Sequence, residues 1–135
     1  MIVGVGTDIV DVERIAGVYR RQGEAFAQRL LSDQELIEFR LKTQSERFLA
    51  KRWALKEAVS KALGTGIAQG VSFREMQIDH APSGQPLLVL KGRTLEVADA
   101  LGITHWAISV SDEKHHCVAF AVAENRCFST SRESE

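Results

Sequence analysis

The spacing of apolar positions divides the chain into helical and extended segments. "MIVGVGTDIVDVERI" begins with a β-rich run, Ile2 to Val5, which Gly6-Thr7-Asp8 is expected to interrupt as a turn before a helical segment carrying Asp11, Glu13 and Arg14. In "SDQELIEFRLK", Ser32 and Glu35 have the spacing of a capping box ahead of a short amphipathic helix. "TQSERFLAKRWALKEAVSKALG" repeats that signal with Thr43 and Glu46 and stops at Gly64. It predicts about 20 residues of helix, roughly 30 Å long. From Val71 the period changes: "VSFREMQID" alternates, "PSGQP" reads as a turn and "PLLVLKG" as a second strand, together a hairpin. "RTLEVADALG" returns to helix and is closed by Gly102. "HWAISVSDEKHHCVAFAVAEN" reads as two antiparallel strands joined near Asp112 to His115, with Trp106, Ile108 and Val110 on one face. The predicted class is α+β, an antiparallel sheet packed with helices, as one domain over residues 1–126. The remaining "CFSTSRESE", residues 127–135, is polar and expected to be disordered.

Composition narrows the function classes. A chain of 135 residues, 44% hydrophobic and 26% charged, suits one compact domain with a single core. A net charge of -1 argues against a general nucleic-acid binder, so an anionic partner has to meet a local basic patch. Cys117 and Cys127 have no metal-ligand spacing, and no apolar run approaches the roughly 20 residues that span a bilayer. A cytoplasmic location without membrane contact is the expectation.

Candidate chemistry centres on "RWALKEAVSKALGTG". Ala54, Leu55, Ala58, Val59 and Ala62 form one apolar stripe on the helix, and Glu57 and Lys61 run along its margin. Four residues apart, they can be a surface ion pair worth roughly 0.2–0.5 kcal/mol, or they can reach together into a cleft. Asp8, on a glycine-flanked segment, is either a helix N-cap or a second carboxylate. Mg²⁺ commonly takes one or two protein carboxylates and completes its octahedron with water and phosphate oxygens, so Asp8 with Glu57 is a sufficient protein contribution. Gly64, Gly66 and Gly70 miss the dinucleotide spacing by one residue and follow a helix instead of opening one, a poor dinucleotide signal, and Gly64 is explained with less as a helix C-cap. His80, His105, His115 and His116 read as surface or pairing residues. Arg14 and Arg21 share a face if the first helix runs through Gly17, and that face is either solvated or docks an acidic partner.

Two motifs, "GVGTDIVDVERI" and "RFLAKRWALKEAVSKALGTGI", carry a resemblance that extends over nearly the whole chain except the tail. Taken together, G-x-D-I and W/F-x-x-K-E-A-x-x-K-A-x-G-T-G resemble the bacterial holo-acyl-carrier-protein synthases, a family of 4'-phosphopantetheinyl transferases. The resemblance implies that Asp8 and Glu57 bind Mg²⁺ with the pyrophosphate of coenzyme A, that Lys61 contacts a phosphate, and that all three are catalytic. It further assigns Arg52 and the loop Gly64, Thr65 and Gly66 to the nucleotide end of coenzyme A. Arg14 and Arg21 are assigned to the acidic helix of acyl carrier protein. The implied reaction moves the phosphopantetheine arm to a serine of the carrier and releases adenosine 3',5'-bisphosphate, and the implied assembly is a homotrimer with its site between subunits. One departure stands out: Ser109-Val110-Ser111-Asp112 occupies the place where many members read S-x-[ST]-H. Two other classes remain compatible with the residues, a noncatalytic binding module and a Mg²⁺-dependent transferase for a phosphorylated small molecule.

Overall fold

A computed structural model describes residues 1–126; the segment expected to be a disordered tail, with Cys127, lies outside them. Strand β1 (Ile2–Asp11) leads into helices α1 (Val12–Gln22), α2 (Glu24–Leu30) and α3 (Asp33–Arg40), then the long α4 (Ser45–Leu63). A single 3-10 turn, Phe73–Glu75, precedes the hairpin β2 (Met76–His80) and β3 (Pro86–Leu90). Helix α5 (Gly92–Ala100) and the hairpin β4 (His105–Asp112) and β5 (His116–Glu124) complete the described chain. β1 joins the closing hairpin in an antiparallel sheet of order β1-β5-β4, while β2 and β3 form a separate ribbon. The α+β reading therefore holds.

The expected turn at Gly6-Thr7-Asp8 does not exist, because β1 runs through it and pairs Gly6, Thr7 and Asp8 with Ala121, Phe120 and Ala119. The glycines serve packing instead of a turn. A Cβ on Gly4 would lie 2.1 Å from the Ala62 carbonyl oxygen, and one on Gly6 would lie 1.9 Å from that of Ala58. Only hydrogen at these positions lets β1 lie directly on α4. The opposed surfaces are small as well: Ala119, Ala121 and Ala123 of β5 are buried, as are Ala54, Ala58 and Ala62 of α4. Alternation along β1 then turns Gly4, Gly6, Asp8 and Val10 toward the helix.

Caps decide the helix ends. Asp11, not Asp8, caps α1, its Oδ1 accepting from the Glu13 amide at 2.8 Å. Ser32 and Glu35 form the predicted capping box. The second one does not form: α4 starts at Ser45 behind Gln44, which has no side-chain cap, and Glu46 instead accepts from Arg20. Gly64 ends α4 as expected, at φ 81°. α1 does run through Gly17, but it breaks at Gly23 (φ 60°), so Arg29 belongs to a different helix from Arg14 and Arg21.

Candidate active site

The close seating of β1 on α4 brings Asp8 and Lys61 together. Lys61 Nζ donates to Asp8 Oδ1 at 2.9 Å and to the Thr7 carbonyl at 3.0 Å. Asp8 Oδ2 is buried and has no hydrogen-bond partner. A buried carboxylate oxygen left without a donor is costly, so this atom is poised for a cation or a donor from outside the chain.

Glu57 lies beside this pair. Its pKa is raised, first by burial and then by the Asp8 charge, against the opposing pull of Lys61 and Arg14. The predicted Glu57 to Lys61 ion pair is not what the structure builds: Lys61 pairs with Asp8 across the strand-helix boundary, and Glu57 forms no ion pair among the described residues. Two hard oxygen donors with surplus negative charge, one of them carrying an orphaned buried oxygen, fit a Mg²⁺ ion that keeps other ligands from water and phosphate. Among the described residues no group of three or more His, Cys, Asp or Glu could hold a metal.

The loop after α4 folds back beside Lys61. Gly66 N donates to the Ser60 carbonyl at 3.2 Å, Thr65 Oγ1 donates to the Gly66 carbonyl at 2.7 Å, and Gly66 has φ 57°. Nothing lies within 4 Å of where a Cβ would stand at Gly64 or Gly66, so one side of this loop is open.

Arg52 is not part of this cluster. At about 100° per residue it lies roughly 180° around α4 from Lys61. It is buried, donating from Nε to Glu35 at 3.1 Å and from Nη2 to Glu38 at 3.4 Å, with its guanidinium 4.4 Å from the Phe48 ring centre. It also lines a pocket of about 240 Å³ together with Lys42, Arg47, Lys51 and His80. Arg14 and Arg21 are both exposed on α1, and Arg14 is near enough to Glu57 to lower its pKa. Asp112 accepts from Arg47 at 2.8 Å and pairs with Lys51 at 3.4 Å, while Arg47 also donates to the Glu113 and Lys114 carbonyls. The aspartate at the family's histidine position thus fastens the β4 to β5 turn onto α4.

Two features escaped the sequence reading. One is an apolar pocket of about 530 Å³ whose lining includes Val18, Phe26, Leu30, Trp53, Ile67 and Phe73, with Arg29 and Arg74 also in its wall. Its residues come from four separate segments, so no local pattern announces it. The other is a buried charge cluster. Lys56 donates to Glu35 at 2.5 Å, to the Leu30 carbonyl at 2.8 Å and to the Phe73 carbonyl at 3.1 Å. Burial pushes its pKa down to about 8 against the pull of Glu35. A lysine in line with Leu49 and Leu63 on the α4 wheel was the available signal.

Comparison with known proteins identifies the family of the chain. The family described as the 4'-phosphopantetheinyl transferase superfamily matches residues 4–121. The holo-[acyl-carrier-protein] synthase of Hydrogenovibrio crunogenus is 56% identical over 126 residues, covering 93% of this chain and 99% of that one. The crystal structure of the Neisseria meningitidis synthase superposes with a TM-score of 0.87 at 44% identity, over 93% of this chain and all of the other. The Helicobacter pylori synthase, solved in complex with coenzyme A, gives 0.76 at 33% identity over 89% of this chain and 99% of that one. The chain belongs to the 4'-phosphopantetheinyl transferase superfamily, within its holo-[acyl-carrier-protein] synthases, which are enzymes.

Proposed function

We propose that this enzyme transfers the 4'-phosphopantetheine arm of coenzyme A to a serine of apo-acyl carrier protein, with Mg²⁺, releasing adenosine 3',5'-bisphosphate. The observation that carries this reading is the orphaned Oδ2 of Asp8 beside Lys61 and Glu57. When bound by Asp8 and Glu57, Mg²⁺ supplies charge neutralisation and polarisation at the pyrophosphate. Lys61 has three donors and spends two on Thr7 and Asp8. The third is free for a phosphate oxygen. As the serine oxygen bonds to the β-phosphorus, the bond from that phosphorus to the bridging oxygen breaks, and negative charge collects on the departing bisphosphate. Lys61 stabilises that charge in place, which is the main form of catalysis in phosphoryl transfer. The serine proton leaves to a carboxylate or to water.

Gly64, Thr65 and Gly66 offer backbone and hydroxyl to the same phosphates from the open side of their loop. Arg52 points away from its own chain's Lys61, so a role at the nucleotide end places it in the site of a neighbouring subunit. A homotrimer with shared sites accommodates that. The outer face of the sheet supports association: Val5, Thr7 and Ile9 of β1, Val118, Phe120 and Val122 of β5, and Ala107, Ser109 and Ser111 of β4 include no charge. Val5, Ile9 and Phe120 are 60%, 66% and 50% exposed, an apolar face that a lone subunit leaves in water. Arg14 and Arg21 receive the acidic carrier helix, and the neighbouring apolar pocket takes its hydrophobic side. Absence of a helix long and apolar enough to cross a membrane, among the described residues, is compatible with the cytoplasmic location we assign.

Mass spectrometry of apo-acyl carrier protein incubated with coenzyme A, Mg²⁺ and this enzyme tests the reading. One added phosphopantetheine on a serine is expected. No gain in mass, or a gain that persists both with chelator and in Glu57→Gln, overturns the mechanism.

A further inference from the structure

The buried cluster at Lys56 has a geometry that hydrophobic packing alone would not call for. Lys56 is 0% exposed, and its three donors meet three acceptors on three different segments: Leu30 at the end of α2, Glu35 on α3 and Phe73 in the 3-10 turn. Glu35 is saturated in the same way, accepting from the Ser32 and Ile78 amides, from Arg52 and from Lys56. Two of the Lys56 acceptors belong to residues of the apolar pocket, since Leu30 and Phe73 both line it. Trp53, one turn earlier on α4, lies between Phe26 and Phe73, with ring centres 6.0 and 5.4 Å away. The pocket is thus an aromatic floor whose walls, α2 and the 3-10 turn, both accept hydrogen bonds from one ammonium group of α4, while Arg74 of the turn also donates to the Gln28 carbonyl of α2 at 3.2 Å. The next residue on α4 is Glu57.

We infer that Lys56 is a positioning residue for the protein acceptor: by tethering the Leu30 and Phe73 backbones to α4, it sets the width of the pocket beside the Glu57 site. The inference rests on the reading that this pocket receives the carrier. Coenzyme A would not need the pocket's width, whereas an inserted apolar side chain of the carrier would. An ammonium is suited to the task because it holds two carbonyls and a carboxylate at fixed reach, which an aliphatic side chain of the same length cannot do.

The test is steady-state kinetics of Lys56→Met with each substrate varied in turn. The expected result is a rise of about tenfold or more in KM for apo-carrier with less than about a twofold change in KM for coenzyme A. A merely structural role would lower the active fraction, reducing kcat and leaving both KM values alone. That outcome, or a parallel rise in both, overturns the inference. Should the variant fail to fold, hydrogen exchange on the wild-type chain decides: apo-carrier should slow exchange at residues 30–31 and 72–76. Unchanged exchange there, while the wild-type enzyme modifies the carrier, overturns the inference and leaves the proposed reaction intact. A wild-type chain that adds nothing to the carrier fails the reaction itself.

Discussion

At the scale of single residues, the site holds two acidic groups closer than their charges favour. Glu57 has a raised pKa, so the folded chain holds that proton at pH values where the unfolded chain has released it. The associated stability is complete below the ordinary glutamate range and is lost as pH rises through the raised value. Above that raised value metal-free enzyme lacks it, and Glu57→Gln should there melt higher than wild type, with the difference closing as pH falls below the usual carboxylate range. Adding Mg²⁺ should raise the wild-type Tm and leave the variant's unchanged, a reading that differential scanning calorimetry provides without any turnover. A Glu57→Gln chain that melts below wild type across the whole pH range would remove the argument from burial and repulsion. Lys61 carries the opposite role. Lys61→Met should lower kcat by roughly 10²–10³-fold, the usual loss for one preorganised donor to a developing oxyanion, as measured in a single-turnover transfer assay.

Elements position these residues through size as much as through charge. Asp8 reaches Lys61 because β1 lies on α4 with only hydrogen at Gly4 and Gly6. Gly6→Ala inserts a methyl 1.9 Å from the backbone oxygen of Ala58, and backbone cannot rotate away as a side chain can. A loss of about 1–3 kcal/mol or more is expected from urea unfolding, together with loss of transfer activity as Asp8 moves off Lys61. Little change in either measurement would mean that strand and helix are less tightly seated than described. The same two elements show where local pattern misled. Gly-Thr-Asp has the composition of a turn, yet the pairing of Thr7 with Phe120 and of Asp8 with Ala119 keeps the segment extended. Thr43 and Glu46 have capping-box spacing, but Glu46 is drawn to Arg20, and α4 starts without a side-chain cap. Ser32 and Glu35, whose box is buried and locked by Lys56 and Arg52, behave as the spacing predicts.

For the whole molecule the question is what covers the outer face of the sheet. Sheets with one face on the core usually carry polar residues on the other, and here the centre of the exposed face is uncharged and partly apolar, with Asp11, His116 and Glu124 only at its ends. Light scattering should give three chain masses for the wild type, and Ile9→Glu should reduce this toward one chain of 15.0 kDa. A charge placed at the centre of a buried contact is unpaired there and harmless in water, which is why the effect should be on assembly and not on folding. Transfer activity should fall with the assembly, because Arg52 and Lys61 of one chain face in opposite directions. A monomeric wild type with full activity would rule out the shared site.

Elements with local signals were legible along the chain: the long helix closed by Gly64, the Ser32 to Glu35 cap, both hairpins, and the two motifs that mark the family. The sequence by itself also nominated Asp8, Glu57 and Lys61 as residue types able to hold a divalent ion and a phosphate. Which of them pair was a tertiary decision, because a four-residue helical spacing permits Glu57 to meet Lys61 but cannot weigh that contact against a strand seated on the same helix. Tertiary packing also turned Arg52 inward, joined Asp112 to Arg47 and Lys51, and built the pocket over Trp53 from segments far apart in the chain. Contacts of that kind depend on where separate elements lie, and that follows from close packing of the whole core, which no window of sequence contains.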